Sequence, residues 1–168
     1  MAVSQLPRQL KNFNAYIDGE SFAGRADTVS LPNLALTTED HRAGGMDAAV
    51  KLDMGMEAMT ASIVLSDYSE KIIPLIGKPD VPLVFRGGVQ SQGQNVQAVV
   101  VNMRGMLTQT EFSEWQPGSK STKTLTYELT YFRYRQNDVE LAEIDIINMV
   151  RKFGGIDQLA QMRAALGF

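Results

Sequence analysis

The sequence predicts a mainly β fold, α+β by count of elements: an antiparallel β-sandwich or barrel with one or two short helices and a long inter-strand loop. Three observations predict it. Leu125, Tyr127, Leu129 and Tyr131 alternate with Thr124, Thr126, Glu128 and Thr130, the period-2 pattern of a strand with one buried face. Turn-forming clusters at Asp18-Gly19, Ser91 to Asn95 and Gln136-Asn137-Asp138 separate strand-like runs. No long helical periodicity lies between successive strands, so crossover connections and a parallel sheet are not expected.

Taken in order, "FNAYIDGESFAGRADTVSLPNLAL" reads as short alternating runs around Asp18-Gly19, a pair suited to the positive φ of a tight hairpin. From Asp40 to Gly55 neither a period of 2 nor one of 3.6 is sustained, and Gly44, Gly45 and Gly55 punctuate the stretch, which predicts a long loop. Met59, Ala61, Ile63 and Leu65 then form a strand. "SDYSEKIIPLIGKP" predicts one short helix, with Ser66 or Asp67 as N-cap and Pro74 limiting its length. Val81 to Phe112 reads as a hairpin of two strands, with Gly87-Gly88 and Gly105 marking bulges or bends. After the clearest strand, Val139 to Ile144 supplies another. The tail "GGIDQLAQMRAALGF" predicts a small helix that starts at Asp157, carries Ile156, Leu159, Ala160, Arg163 and Leu166 along one side, and ends at Gly167. The sum is about seven strands and two short helices.

Length and composition bound the functions available. A chain of 168 residues, 44% hydrophobic and 21% charged, forms one domain with a real core, spanning 1–168. It has no cysteine, which excludes disulfides, thiolate metal sites and cysteine nucleophiles. The amino terminus lacks the apolar run of a signal peptide and no window approaches a membrane span, so synthesis in the cytoplasm and no membrane partner are expected. A net charge of −3 gives no global field to attract a polyanion.

Candidate chemistry concentrates in "HRAGGMDAAV", residues 41–50, which holds the only histidine. His41 with Asp40 and Asp47 offers at most a base and its orienter, and a lone histidine in a polar loop is more often a surface residue. The glycine pair is not a phosphate cradle, because Met46 and Asp47 follow where a P-loop requires lysine and then serine or threonine. One histidine, no cysteine and scattered carboxylates predict no metal site, no catalytic residue and no cofactor. What the stretch does offer is adaptable apolar surface: Met46, Met54, Met56 and Met59 fall within 14 residues. Such a loop covers something, either its own core or another surface. The only sign of nucleic-acid binding is the run Tyr131 to Arg135. Alternation places Tyr131, Arg133 and Arg135 on one side and Phe132 and Tyr134 on the other, which favours a core strand over a stacking platform.

The chain resembles the major tail tube proteins of contractile-tailed phages, including the tube proteins of R-type pyocins. The resemblance runs nearly end to end. It rests on "YIDGESFAG" at Tyr16 to Gly24, "VSLPNLALTTEDHRAGGMDAAVKLDMGMEAM" at Val29 to Met59, the Arg-Gly pairs at Arg86 and Arg104, and "ELAEIDIINMVRKFGGIDQLAQMRAALG" at Glu140 to Gly167. It implies a structural, non-enzymatic protein whose copies close into six-membered rings that stack into a hollow tube. It also implies a surrounding sheath, a baseplate or other tube initiator, and tape-measure and terminator proteins that set tube length. DNA would pass through only in a phage. The particle would be a virion tail or a bacteriocin, assembled in the host cytoplasm.

By position, residues 40–56 become the main inter-subunit element, with His41, Arg42, Gly44, Gly45, Met46, Asp47, Met54 and Met56 as contacts. Gly44 and Gly45 would permit close approach, while residues 1–14 form an amino-terminal arm and 146–168 a further contact segment. Thr124, Thr126, Glu128 and Thr130 are nominated as a lumen-facing set. Two other readings compete: a monomeric β-barrel module for single-stranded nucleic acid built on Tyr131 to Arg135, and a tube protein of the type VI secretion kind.

Overall fold

The structure is a computed structural model that describes residues 6–168. In chain order the strands are β1 (Gln9–Ile17), β2 (Glu20–Ser21), β3 (Ala26–Ser30), β4 (Leu36–His41), β5 (Val50–Met56) and β6 (Met59–Leu65). A 3-10 turn at Ile73–Leu75 precedes β7 (Val81–Gln90), β8 (Gln97–Phe112), β9 (Lys123–Gln136), β10 (Val139–Asp145), β11 (Val150–Phe153) and β12 (Ile156–Asp157). One helix, α1 (Ala160–Leu166), closes the chain. Most strands join one antiparallel sheet in the order β12-β11-β10-β9-β8-β7-β1-β2, whose end strands do not pair with each other. β4 and β5 pair only with one another.

β9 organises the body because it belongs to two layers. Along one side it pairs with β8 for its whole length. Along the other, Lys123 to Leu129 pair with β6, and Tyr131 to Asp145 begins the pairing with β10. β6 carries β3 in turn, and this wing folds across the rest: Ala61, Ile63 and Leu65 of β6 share one buried cluster with Ala15 and Ile17 of β1 and Leu83 and Phe85 of β7. The result is the expected sandwich, with the sheet left open.

The change of partner takes place at a bulge. Arg104 opposes Tyr131 and Gly105 opposes Leu129, so Thr130 is the extra residue. A bulge of one residue reverses which face each later side chain occupies. Leu125, Tyr127 and Leu129 are buried, but the next core residue is Phe132, and Tyr131 turns outward. The expectation that Tyr131 continues the buried row is therefore corrected. Gly105 permits the bulge: a Cβ there would lie 2.2 Å from the carbonyl oxygen of Glu128, a backbone atom that cannot step aside. The other expected bulge, at Gly87-Gly88, is absent. Those residues pair regularly with Val99 and Ala98, and the irregularity lies opposite them, between Leu10 and Asn12 of β1.

The hairpin expected at Asp18-Gly19 forms, with φ of 48° and 83°, and so does the one at Asn137-Asp138, with φ of 48° and 62°. Other expectations change. The long loop over Asp40 to Gly55 is a two-stranded hairpin whose connecting loop runs only over 42–49. Its strands leave no period-2 signal because they bury neither face, and burial is what writes alternation into a sequence. The helix after Leu65 shrinks to the single turn at Ile73–Leu75, since Pro74 has no N–H to continue it. Ser66 and Asp67 do not cap it. The Ser66 amide donates to the Arg25 carbonyl at 2.9 Å, and Asp67 accepts from Arg25 Nη1 at 3.0 Å. The amino-terminal arm is shorter than 1–14: Gln9 onward belongs to β1, Ser91 Oγ donates to the Leu6 carbonyl at 2.6 Å, and residues 1–5 lie outside the described residues. At the other end α1 ends as expected on Gly167, φ 81°, but Leu159 precedes it as N-cap, and Asp157 lies in β12.

Two substitutions test this account of β9. Gly105→Ala is expected to cost about 3 kcal/mol, because the only relief is to part β8 from β9, which lowers the thermal midpoint by roughly 6–12 °C in a chain of this size. The Tyr127 hydroxyl is fully buried without a partner, and burial pushes its phenol above the ordinary tyrosine range. Tyr127→Phe removes that group and is expected to leave the midpoint unchanged or raise it in calorimetry.

Candidate assembly surfaces

The β4–β5 hairpin stands apart from the core. Val50, Leu52 and Met54 alternate along β5 onto one face, and with 48%, 44% and 58% of their surface exposed they are uncovered. Glu39 opposes Leu52 and His41 opposes Val50, so these two side chains border the same face. The other face is charged: Asp40 opposes Lys51, whose Nζ donates to Asp40 Oδ1 at 2.9 Å, and Thr38 opposes Asp53. The ribbon is thus amphipathic without a layer behind its apolar side.

Asp53 ties it to the body. Its carboxylate accepts a two-pronged pair of bonds from the guanidinium of Arg151 on β11, which is 5% exposed. The same carboxylate accepts from the Gly55 amide at 2.9 Å, where Gly55 adopts φ 114°. This gives the Asp53-Met54-Gly55 sequence a physical sense: a carboxylate folded over a turn that needs glycine, aimed at one buried arginine. The Arg151 guanidinium, with help from the Gly55 amide, holds the Asp53 carboxyl below its ordinary value of 3.8. Met56 at the ribbon's base is partly buried and packs against the body's own core.

The remaining residues singled out by sequence fall at the ribbon's tip. His41 ends β4, and Arg42, Gly44, Gly45 and Asp47 are exposed in the loop. The tip is closed on itself: the Met46 amide donates to the Ala43 carbonyl at 3.2 Å, and Arg42 Nε to the Met46 carbonyl at 3.4 Å. Gly45 takes φ 86°, and within the chain nothing lies within 4 Å of a Cβ built on Gly44 or Gly45. Inside one copy these glycines shape a turn and are not closely approached. Among the described residues no group of three or more His, Asp or Glu side chains is arranged to hold a metal, and no helix is long and apolar enough to cross a membrane.

Thr124, Thr126 and Glu128 lie together on the outer face of β9, with Thr60 Oγ1 donating to Glu128 Oε2 at 3.0 Å. Thr130 sits in the bulge, its hydroxyl 3.4 Å from Asp80 Oδ1 and from the Arg104 carbonyl. Because the bulge shifts the phase, this face continues through Tyr131, Arg133 and Arg135. Arg133 Nε donates to Glu140 at 2.6 Å, Arg135 to Asn102 at 3.3 Å, and the Arg104 guanidinium lies 4.5 Å from the Tyr131 ring centre. Tyr131 and Lys152 both donate to Glu143, at 3.0 and 3.1 Å, and these donors hold that carboxyl low against the opposing effect of burial. With Phe132 buried, the strand lacks the run of open aromatic rings on which single-stranded nucleic acid stacks.

A second apolar surface was only partly visible in the sequence. Ile146, Ile147, Ile156, Met162, Leu166 and Phe168 are all exposed, between 49% and 81%, so α1 and the turns before it leave most of their apolar side chains uncovered among the described residues. α1 is held from below instead: Arg163 donates to Asp157 at 2.6 Å and to the Met149 carbonyl at 2.8 Å. Trp115, 78% exposed in the loop between β8 and β9 and edge-on to Tyr68, was not anticipated at all. A lone aromatic in a polar loop leaves no periodic signal.

This architecture is shared with components of contractile injection systems. A chain of the PVC sheath-tube complex in its extended state superposes with a TM-score of 0.61 at 11% identity, over 77% of this chain and 91% of that one. A chain of the anti-feeding prophage tube terminating cap gives 0.61 at 14% identity, over 80% and 99%. At these identities the likeness is one of fold. The family model for phage tail tube protein FII matches residues 7–167, and the chain belongs to that family. It is 34% identical over 170 residues to the tail tube protein of Escherichia phage P2, covering 96% of this chain and 98% of that protein. The major tail tube protein of Serratia phage KSP20 is 32% identical over 159 residues, covering 89% and 90%.

Two measurements check the tie at Asp53. Arg151→Met, which keeps bulk and removes the donor, is expected to release the ribbon and speed tryptic cleavage after Arg42 and Lys51, while β8 and β9 stay resistant. Unchanged cleavage would contradict the role given to the pair. The pH dependence has a definite sign. Asp53 titrates lower in the folded chain than in the unfolded one, so the stabilisation is present above the ordinary aspartate value and is lost as pH falls through the lowered folded value. The thermal midpoint is therefore expected to hold down to the ordinary carboxylate range and fall below it, with a shallower fall in Asp53→Asn.

Proposed function

We propose that this chain is the subunit of the inner tube of a contractile tail or phage-tail-like particle, with copies closing into hexameric rings that stack head to tail. The observation that carries this reading is the β4–β5 ribbon, an ordered hairpin whose apolar face nothing among the described residues covers. Exposed apolar patches of this kind mark interaction surfaces. Membership of the tail tube family and the open ends of the main sheet fit the same reading, because neighbours in a closed ring protect edges that invite aggregation in a monomer. His41, Arg42, Gly44, Gly45, Met46, Asp47 and Met54 are the ribbon's contact residues. The carboxy-terminal segment, with its exposed isoleucines and Phe168, is a second contact.

The protein performs no chemistry in this reading; its task is to enclose a channel. The face of β9 carrying Thr124, Thr126, Glu128 and Tyr131 is assigned to the lumen. Arg104, Arg133 and Arg135 on this face lie among the carboxylates of Glu140, Glu143 and Asp145, and phosphate affinity grows with each cation left to neutralise it, so a passing polyanion would slide. Sheath outside, baseplate or other initiator below, and tape-measure and terminator proteins are the partners, and the site of action is the virion tail or bacteriocin particle after assembly in the host cytoplasm.

Concentrated protein is expected to show rings or tubes in negative stain. Leu52→Asp, at an exposed position outside the core, is expected to keep the thermal midpoint within a few degrees and abolish assembly. A parent chain that stays monomeric at high concentration, or a Leu52→Asp variant that builds normal tubes, contradicts the reading.

A further inference from the structure

We propose that the apolar groove bordered by Leu10, Phe13, Leu31, Val89, Val99 and Tyr134 is the socket that receives Val50, Leu52 and Met54 from the ribbon of a second copy. This rests on the reading that copies assemble through the ribbon, and adds what the ribbon meets.

The groove is the open end of the core. The inward face of β7 and β8 between Val89 and Val99 is bordered by Leu10, Phe13, Val29 and Leu31, and no described residue closes it over. Phe85 and Val101 at its base are buried, whereas Leu10 and Leu31 at its lip are 57% and 43% exposed. The enclosed volume is about 280 Å³, a space on the scale of the few aliphatic side chains that the ribbon presents. Its floor is kept low by Gly87, where a Cβ would come within 2.7 Å of Leu10 Cδ1. An uncovered end of a core and an uncovered apolar ribbon are complementary deficits.

Within one chain the two do not meet. The ribbon is tied to β11, and β7 lies four strands further along the sheet, about 19 Å at the usual strand spacing. Projection and recess thus sit toward opposite ends of one sheet. A contact between different surfaces on identical subunits is heterologous, the kind that propagates around a ring or along a stack.

Charge selects the ribbon over the other exposed apolar segment. Arg86 alternates onto the opposite face of β7 with Val84, so the charges beside the groove are those of the β1 side, Lys11 and Arg8, Arg8 being bonded to Gln97 opposite Val89. The ribbon from Leu36 to Met56 carries Glu39, Asp40, Asp47 and Asp53 against Arg42 and Lys51. In the carboxy-terminal segment from Ile146 onward Arg151, Lys152 and Arg163 are each already paired, with Asp53, Glu143 and Asp157, whereas Glu39 and Asp47 on the ribbon have no ion-pair partner among the described residues. An acidic ribbon entering a basic rim is favoured over a segment whose charges are already matched.

The test places the photo-crosslinker p-benzoylphenylalanine at position 52 in the full chain and maps its products by mass spectrometry after irradiating tubes verified by electron microscopy. Adducts joining two copies at Leu10 to Phe13, Leu31 or Val89 to Val99 are expected. Adducts on a different surface of a neighbouring copy overturn the socket and leave the ribbon as the assembly element. Tubes that give no adduct between copies overturn both. Should the bulky probe itself block assembly, the smaller pair Leu52→Cys with Val89→Cys decides: the chain has no native cysteine, so a disulfide ladder of chain multiples under mild oxidation supports the socket, and free thiols in formed tubes reject it.

Discussion

Two strands with water on both faces gain too little from burial to stay in place on their own, and β4–β5 is such a pair. What holds it is the buried guanidinium of Arg151 against the carboxylate of Asp53. A cation removed from water needs a partner, so a ribbon carrying the matching carboxylate is favoured at that one position. The pair fixes where the ribbon leaves the body, while its apolar face, turned outward, gains nothing until another surface covers it. The subunit is in this sense stable but incomplete, and the deficit faces away from its own core.

The body supplies the rigid frame from which such a projection is useful. One bulge at Thr130, made possible by the missing side chain of Gly105, lets β9 leave β6 and take up β10. The same step sends Phe132 inward and Tyr131 outward, which creates the polar face with its arginines. A packing feature in the middle of one strand therefore decides both the division into two layers and the chemistry of a surface.

The sandwich was legible in the sequence wherever burial imposes a period of 2, as along Met59 to Leu65 and Leu125 to Leu129, and wherever turns demand particular residues, as at Asp18-Gly19 and Gly167. It was illegible where those pressures are absent. Asp40 to Gly55 reads as a loop because its strands bury neither face, and its methionines point only to a covering role, its own core or another surface, which the family resemblance turns into a contact element. The bulge at Thr130 leaves no mark in a pattern of alternating residue types until Phe132 is seen to be buried. The partnership of Asp53 with Arg151 spans 98 positions and no local rule finds it, although both residues lie within stretches, Val29 to Met59 and Glu140 to Gly167, that carry the family resemblance.

The central claim is that the ribbon becomes a buried element only when copies meet. Amide hydrogen exchange over residues 36–56, followed in dilute dissociated chain and in assembled tubes, tests it most directly. The account predicts rapid exchange across Val50 to Met54 in the free chain, far above that of β8 and β9, and strong protection of the same amides in the tube. Equal exchange in the two states would contradict it, because an element that completes itself through a neighbour cannot be equally exposed with and without one.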